Sequence, residues 1–259
     1  MTRITSKDNP RLVAAGSLKI RKYRDETGLF VISGKKLAEE ARICRVNVKE
    51  IYVSDGFLNR DGAFADKLSA AYPYAEVCSI PDGLCRKLTD EDSPEGVFCV
   101  CEKPSSNGTG RGGFVLICER LSDPGNVGTV LRSARAFGAD VILTGDCADP
   151  YSPKVLRAAM GAVFSNRVSF APDAATAVSG LRGDGYKIYA AALHKEAEPL
   201  SSVDLSGKRA VIVGNEGAGL SDAAINACDG VVFIEMEKEC ESLNAAVAAS
   251  VIMYHAYKK

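Results

Sequence analysis

Three short stretches of this 259-residue chain gather polar side chains around glycines and strand ends. In DPGNVGTVLRSARAFGAD, residues 123–140, a helical wheel groups Val127, Val130, Leu131, Ala134 and Phe137 on one arc of roughly 120°. Asn126, Thr129, Arg132 and Ser133 take the opposite arc, so the helix has one packing face and one polar face. Asp123-Pro124-Gly125 reads as a tight entry turn with proline near the first helical position, and Asn126 lies near the helix N-terminus, where anions are attracted. In AVIVGNEGAGLSD a buried strand runs into a loop bearing Gly214, Asn215, Glu216 and Gly217, before a helix capped near Ser221. Those glycines let a ligand approach the backbone, although a plain turn needs them too. In VVFIEMEKECESLNAAVAASVIMYHA a strand and a charged loop lead through Ser242-Leu243-Asn244 into an alanine-rich final helix. Ser242 by itself reads as a simple N-cap, and the small side chains allow two helices to come close. Singly, each stretch describes ordinary secondary structure. Together they put Asn/Arg, Gly/Asn/Glu and Ser/Asn on three strand-to-helix turns, at the carboxyl edge of one sheet, where α/β folds bind ligands.

Other chemistries have little to work with. The chain has only two histidines, His194 and His255, and its nine cysteines include no C-x-x-C pair, so no metal site is expected. Several cysteines sit inside apolar runs such as VFCVCEK, where a free thiol serves as a small hydrophobe in a reducing compartment. Gly108, Gly110 and Gly113 satisfy G-x-G-x-x-G, but they precede a strand and cannot aim a helix at a pyrophosphate. The His194-Lys195-Glu196 triplet lacks the P-C-x-x-C partner of a zinc deaminase.

The elements that must position these stretches follow from the apolar pattern. With 46% hydrophobic and 25% charged residues, the composition is that of a folded globular protein, and no apolar run approaches the length of a membrane span. No secretory leader is read at the start, so the cytoplasm is the expected location. Only Lys103–Gly113 has linker composition. We expect a small α/β domain over 1–103, a linker over 104–113 and a larger α/β domain over 114–259. The first domain carries the short runs LFVIS, IYVS, AEVCSI and GVFCVC with helical KKLAEEARIC between. The second carries FVLICE, DVILT, RVSF, KIYAAAL, RAVIVG and VVFIEM separated by helical segments, the pattern of a parallel sheet covered on both faces. Residues 1–49 hold 12 Lys/Arg against 5 Asp/Glu, and residues 50–102 hold 4 against 11. A basic arm of this kind suits a phosphate backbone, and equally a solvated helix face.

DPGNVGTVLRSARAFGAD, DPYSPKVLRAAMGAVFSNRV, IVGNEGAGLS and ESLNAAVAASVIMYHA resemble, in order and spacing, the successive motifs of the SpoU (TrmH-like) family of RNA 2′-O-ribose methyltransferases. LFVISGKKLAEEA and LTDEDSPEGVFCV are similar to the substrate-binding domain that precedes the catalytic domain in many rRNA-directed members. The resemblance implies a SPOUT-type α/β domain with a deep trefoil knot, an exception to un-knotted topology. It implies S-adenosyl-L-methionine bound in that knot, a homodimer with each active site at or beside the interface, and RNA, especially rRNA, as substrate. A tRNA-directed or base-modifying enzyme and a non-catalytic RNA-binding or ribosome-assembly protein are the alternatives.

Matched position by position, Gly214, Asn215, Glu216 and Gly217 resemble the loop under the cofactor. Ala191, Ile234, Met236, Ser242 and Leu243 would line the rest of its pocket. Asn126 and Arg132 match the reactive pair of the first motif, and Asn244 matches the asparagine of the last; the expected catalytic set is Asn126, Arg132, Glu216, Ser242 and Asn244. Because a guanidinium stays protonated, Arg132 is expected to grip the adjacent phosphate and stabilise developing alkoxide, with the proton leaving to that phosphate, to Glu216 or to water. The family often reads I-P-M-x-G where this chain has Ile234-Glu235-Met236-Glu237-Lys238, which bears on the shape of the cofactor loop.

Overall fold

The computed structural model describes residues 1–104, 113–164, 168–215, 217–237, 239–240 and 242–258. Glu216 and Lys238, and with them most of the expected linker, lie outside that set. The described residues form two compact units, one within Met1–Ser105 and Tyr151–Phe164, the other within Ser106–Pro150 and Ser165–Lys259.

The first unit is built on a mixed sheet of β1 (Thr2–Arg3), β2 (Leu29–Ser33), β3 (Val48–Ser54), β4 (Glu76–Ile80) and β5 (Val97–Glu102) in the order β1-β4-β3-β5-β2. Its helices are α1 (Pro10–Ser17), α2 (Arg21–Thr27), α3 (Lys35–Ile43), α4 (Asp55–Ala71) and α6 (Pro153–Ala159). The four expected strands are all present. The segment Tyr151–Phe164, expected with the second domain, is grouped here because its aromatic rings have partners here: Tyr151 lies 5.0 Å from Phe30 and Phe164 6.1 Å from the same ring. The uneven charge of this region is largely met within it. Arg3, Arg11, Lys19, Lys35 and Lys49 pair with Asp55, Glu76, Asp90, Asp61 and Glu102, while Arg21, Lys22 and Arg42 pair along their own helices. Buried thiols act as core: burial pushes Cys99 up to about 12 and holds Cys101 well above the ordinary range, so both stay protonated.

The second unit holds a parallel sheet of β6 (Val115–Cys118), β7 (Asp140–Thr144), β8 (Val168–Ala171), β9 (Lys187–Ala191), β10 (Glu198–Pro199), β11 (Arg209–Val213) and β12 (Gly230–Phe233). The order is β10-β12-β9-β11-β6-β7-β8. Its helices are α5 (Pro124–Phe137), α7 (Ala174–Gly183), α8 (Asp222–Ala227) and α9 (Ala245–Lys258). All six expected strands form, and two-residue β10 adds an edge. Every residue of β6 and β7 is buried, as parallel strands covered on both faces require. α9 packs against α5 and β11, burying Ala245, Ala246, Ala249, Ile252 and Met253. Ser133 Oγ and Ser250 Oγ stand 2.7 Å apart across the α5–α9 contact.

Candidate active site

The carboxyl ends of β6, β9, β11 and β12 face one edge; β6, β11 and β12 release the chain into the three polar stretches, and β9 ends at Ala191. After β6, Asp123 caps α5 by accepting from Asn126 N at 2.8 Å, with Pro124 at the first helical position. The expected apolar arc is the packed one: Val127, Val130, Leu131 and Ala134 are fully buried, and Phe137 rests 5.5 Å from the Tyr254 ring. After β11, Asn215 organises the glycine loop, its Oδ1 accepting from Gly217 N (2.8 Å) and Ala218 N (3.2 Å), while its carbonyl accepts from Gly219 N (2.9 Å). Ser221 caps α8 as expected, accepting from Ala224 N at 3.2 Å. After β12, the cap of α9 is Asn244 and not Ser242: Asn244 Oδ1 accepts from Ala246 N (2.9 Å) and Val247 N (3.2 Å). Serine and asparagine cap about equally well, so position decides, and Asn244 directly precedes the first helical residue.

A cleft opens between the ends of β9, β11 and β12 in two adjoining lobes. Ala191, Ala192, Leu193, Ser242, Leu243 and Ala248 line both. One continues along Ile234 and Met236; the other, of about 370 Å³, continues along Gly214, Asn215 and Gly219. Seven of the expected positions therefore share one cavity: Ala191, Gly214, Asn215, Ile234, Met236, Ser242 and Leu243. Gly217 lies one turn of loop away, hydrogen-bonded to the same Asn215. The glycine at 214 is required, because a Cβ there would stand 2.4 Å from the carbonyl carbon of Gly219.

Asn126 and Asn244, expected as catalytic, meet: Asn244 Nδ2 donates to Asn126 Oδ1 at 3.1 Å. Arg132 does not join them. It is exposed on α5 and makes no side-chain hydrogen bond or ion pair among the described residues. Glu235, standing where the family often has proline, is used locally: its carboxylate accepts from Ser201 N at 3.4 Å and from Ser201 Oγ, and these bonds hold it below its ordinary range.

Sequence reasoning missed three groups. Ala192, Leu193 and Ala248 complete the cleft, but small apolar residues at strand and helix ends carry no local signal. Glu119, only 7% exposed, receives Ser221 N (2.8 Å) and Ser221 Oγ (2.7 Å), and ends β6 like any surface acid would. Arg120 touches the glycine loop, donating to Gly219 O at 3.3 Å. Among the described residues, no cluster of three or more His, Cys, Asp or Glu could hold a metal ion, and no helix is long and apolar enough to cross a membrane.

A parallel α/β unit with a ligand-sized cleft at its carboxyl edge, flanked by paired asparagines, defines a nucleotide- or cofactor-binding enzyme class. Residues 113–254 match the SpoU rRNA Methylase family and residues 4–99 match the MRM3-like substrate binding domain, so the chain belongs to the SpoU family. It is 33% identical to the 23S rRNA (guanosine(2553)-2′-O)-methyltransferase RlmP of Bacillus subtilis, over 98% of this chain and 99% of that one. Among solved structures it is similar to the SpoU methyltransferase AviRb of Streptomyces viridochromogenes in complex with AdoMet (TM-score 0.85, 28% identity, 96% of this chain and 97% of that chain). It is also similar to the AdoMet-bound rRNA methyltransferase of Sinorhizobium meliloti (TM-score 0.84, 26% identity, 99% and 97% covered).

Proposed function

We propose that this protein transfers a methyl group from S-adenosyl-L-methionine to a ribose 2′-hydroxyl of 23S rRNA. The observation that carries this reading is the shared cleft, in which the glycine loop after β11, the segment after β12 and the end of β9 converge, next in the chain to Asn244 of the Asn126–Asn244 pair. The cleft fits the cofactor: small residues at Ala191 and Gly214 leave room, apolar Ile234, Met236 and Leu243 offer a wall for a flat base, and Asn215 and Ser242 offer polar contacts. The cofactor supplies an already activated methyl group, so the protein must chiefly align the hydroxyl and handle one proton. Asn126 and Asn244 orient the hydroxyl by hydrogen bonds. Arg132, free to engage an incoming strand, grips the neighbouring phosphate in a bidentate manner and stabilises developing alkoxide. That phosphate, Glu216 or water takes the proton.

The remaining expectations belong to the same proposal. The unit containing Met1–Ser105 holds the RNA, and the knot is supported by the SpoU family match over residues 113–254. A homodimer is supported by α9 itself, whose Val247, Val251, Tyr254 and Tyr257 are 38–65% exposed along one face. Nine free thiols favour a reducing compartment, the cytoplasm.

The test is transfer of labelled methyl to unmodified ribosomal RNA by wild type and Arg132→Ala, followed by nucleoside digestion. A labelled 2′-O-methylnucleoside is expected from wild type, with transfer reduced roughly 100-fold or more in the variant. Cofactor binding with no transfer to rRNA would overturn the substrate assignment and point to tRNA or to a non-catalytic RNA-binding role.

A further inference from the structure

Between β6 and the cap of α5, the chain turns through Glu119 and Arg120. Arg120 has φ 54°, a left-handed conformation that glycine adopts freely and arginine does not. The corner is heavily bonded. Arg120 N donates to Thr144 Oγ1 at 3.2 Å, and Arg120 O accepts from Asn215 Nδ2 at 3.2 Å. The guanidinium donates through one terminal nitrogen to Gly219 O at 3.3 Å, while its buried Nε has no hydrogen-bond partner among the described residues. Next to it, Glu119 takes both the backbone N–H and the hydroxyl of Ser221. Two consecutive residues thus hold the glycine loop at Asn215, Gly219 and Ser221.

We propose that Glu119 and Arg120 form a strained latch that holds Asn215, Gly219 and Ser221 in place for the ligand, with Arg120 as a positioning residue for S-adenosyl-L-methionine. The proposal rests on the cofactor reading above. Within six residues the loop has glycines at 214, 217 and 219, whose backbone freedom would have to be lost on binding if nothing ordered it beforehand. The latch imposes that order in the free protein. A glycine at 120 would satisfy the left-handed backbone and keep the carbonyl facing Asn215 at no steric cost. What only the arginine adds is the guanidinium, with its bond to Gly219 O and its ion pair to Glu119 at 3.9 Å. The misfit backbone and the orphaned Nε are the price of that bond, and such local strain persists where function requires it.

The test compares Arg120→Gly and Arg120→Ala in the full-length protein, by calorimetric titration with S-adenosyl-L-methionine and by thermal melting. Both variants lose the guanidinium bond, so both should bind the cofactor about five- to tenfold more weakly, the range of one lost hydrogen bond. They should differ in stability. Arg120→Gly, relieved of strain, should melt at or above the wild-type temperature, and Arg120→Ala, which keeps the strain, should melt below Arg120→Gly. In turnover, KM for the cofactor should rise with kcat at saturation within about twofold of wild type, as expected for lost uniform binding. Unchanged affinity in Arg120→Gly, or an affinity loss that comes with a lower melting temperature in that variant, overturns the latch. A wild type that binds no S-adenosyl-L-methionine overturns the cofactor reading itself, a result distinct from either.

Discussion

Gly214 stands at the floor of the cleft with no room for a side chain. A Cβ there would lie 2.4–2.6 Å from Gly219 C, Gly219 O and Leu220 N, all backbone atoms that cannot swing away as a side-chain tip would. Gly214→Ala must therefore push the loop out of place, and the displaced loop carries Asn215, whose carboxamide bonds to Gly217, Ala218 and Arg120 keep the cleft in shape. We expect at least a tenfold loss in cofactor affinity, about 1.4 kcal/mol, by calorimetric titration, with secondary structure by circular dichroism unchanged. Wild-type affinity in Gly214→Ala would mean that the loop does not contact the ligand. Gly217 makes a contrasting control, because its nearest non-neighbouring atom to an added Cβ is Asn215 Oδ1 at 3.4 Å, an ordinary contact, and Gly217→Ala should weaken binding far less.

Elements explain which parts of this site could be seen in advance. The expected strands of the second unit are four or five residues long and mostly apolar, whereas β1 and β10 have two residues each and leave no periodicity to detect. Polar residues next to those runs were legible as candidates because the turns that hold them have strong local chemistry: Asp123-Pro124 and Ser221 both cap as their types suggest. Which candidates meet was not legible. Asn126 and Asn244 lie 118 positions apart, and only the packing of α9 on α5 brings them to 3.1 Å. Glu119 and Arg120 escaped notice for the same reason, since their partners lie about 100 positions away. The cap of α5 gives this scale its own test. Asp123→Ala removes the acceptor for Asn126 N and should destabilise the protein by about 1 kcal/mol, lowering the melting temperature by roughly 2–4 °C. It should also loosen Asn126, so methyl transfer should fall by more than the stability loss accounts for. Asp123→Ser, which retains a cap acceptor, should recover most of both; a serine variant no better than alanine would show that the cap is not what orients the asparagine.

For the whole molecule, the open question is what covers the outer face of α9. Val247, Val251, Tyr254 and Tyr257 recur at helical spacing on one side, 47%, 38%, 46% and 65% exposed, while Ala245, Ala246 and Ala249 of the same helix are buried within the unit. The close approach that the alanine-rich sequence suggested is thus used inside the chain, with α5, and the surface left for a partner is made of valine and tyrosine. Tyrosine suits such a surface because a large apolar body comes with a hydroxyl that tolerates water. Phe137 at the end of α5 extends the patch, its ring 5.9 Å from that of Tyr257. A second copy of the chain is the occupant we propose, and Arg132, exposed on the adjacent α5, would then stand near the seam, where it could serve a site shared by two subunits. Val251→Glu combined with Tyr254→Glu would place four like charges in a two-fold contact and should convert a species of twice the chain mass into one of single mass by light scattering. Because both side chains are already open to water, the monomer should remain folded. If the interface completes the active site, that folded monomer should lose most of its methyl transfer even though its own cleft is intact; full activity in a monodisperse monomer would confine the reaction to one chain.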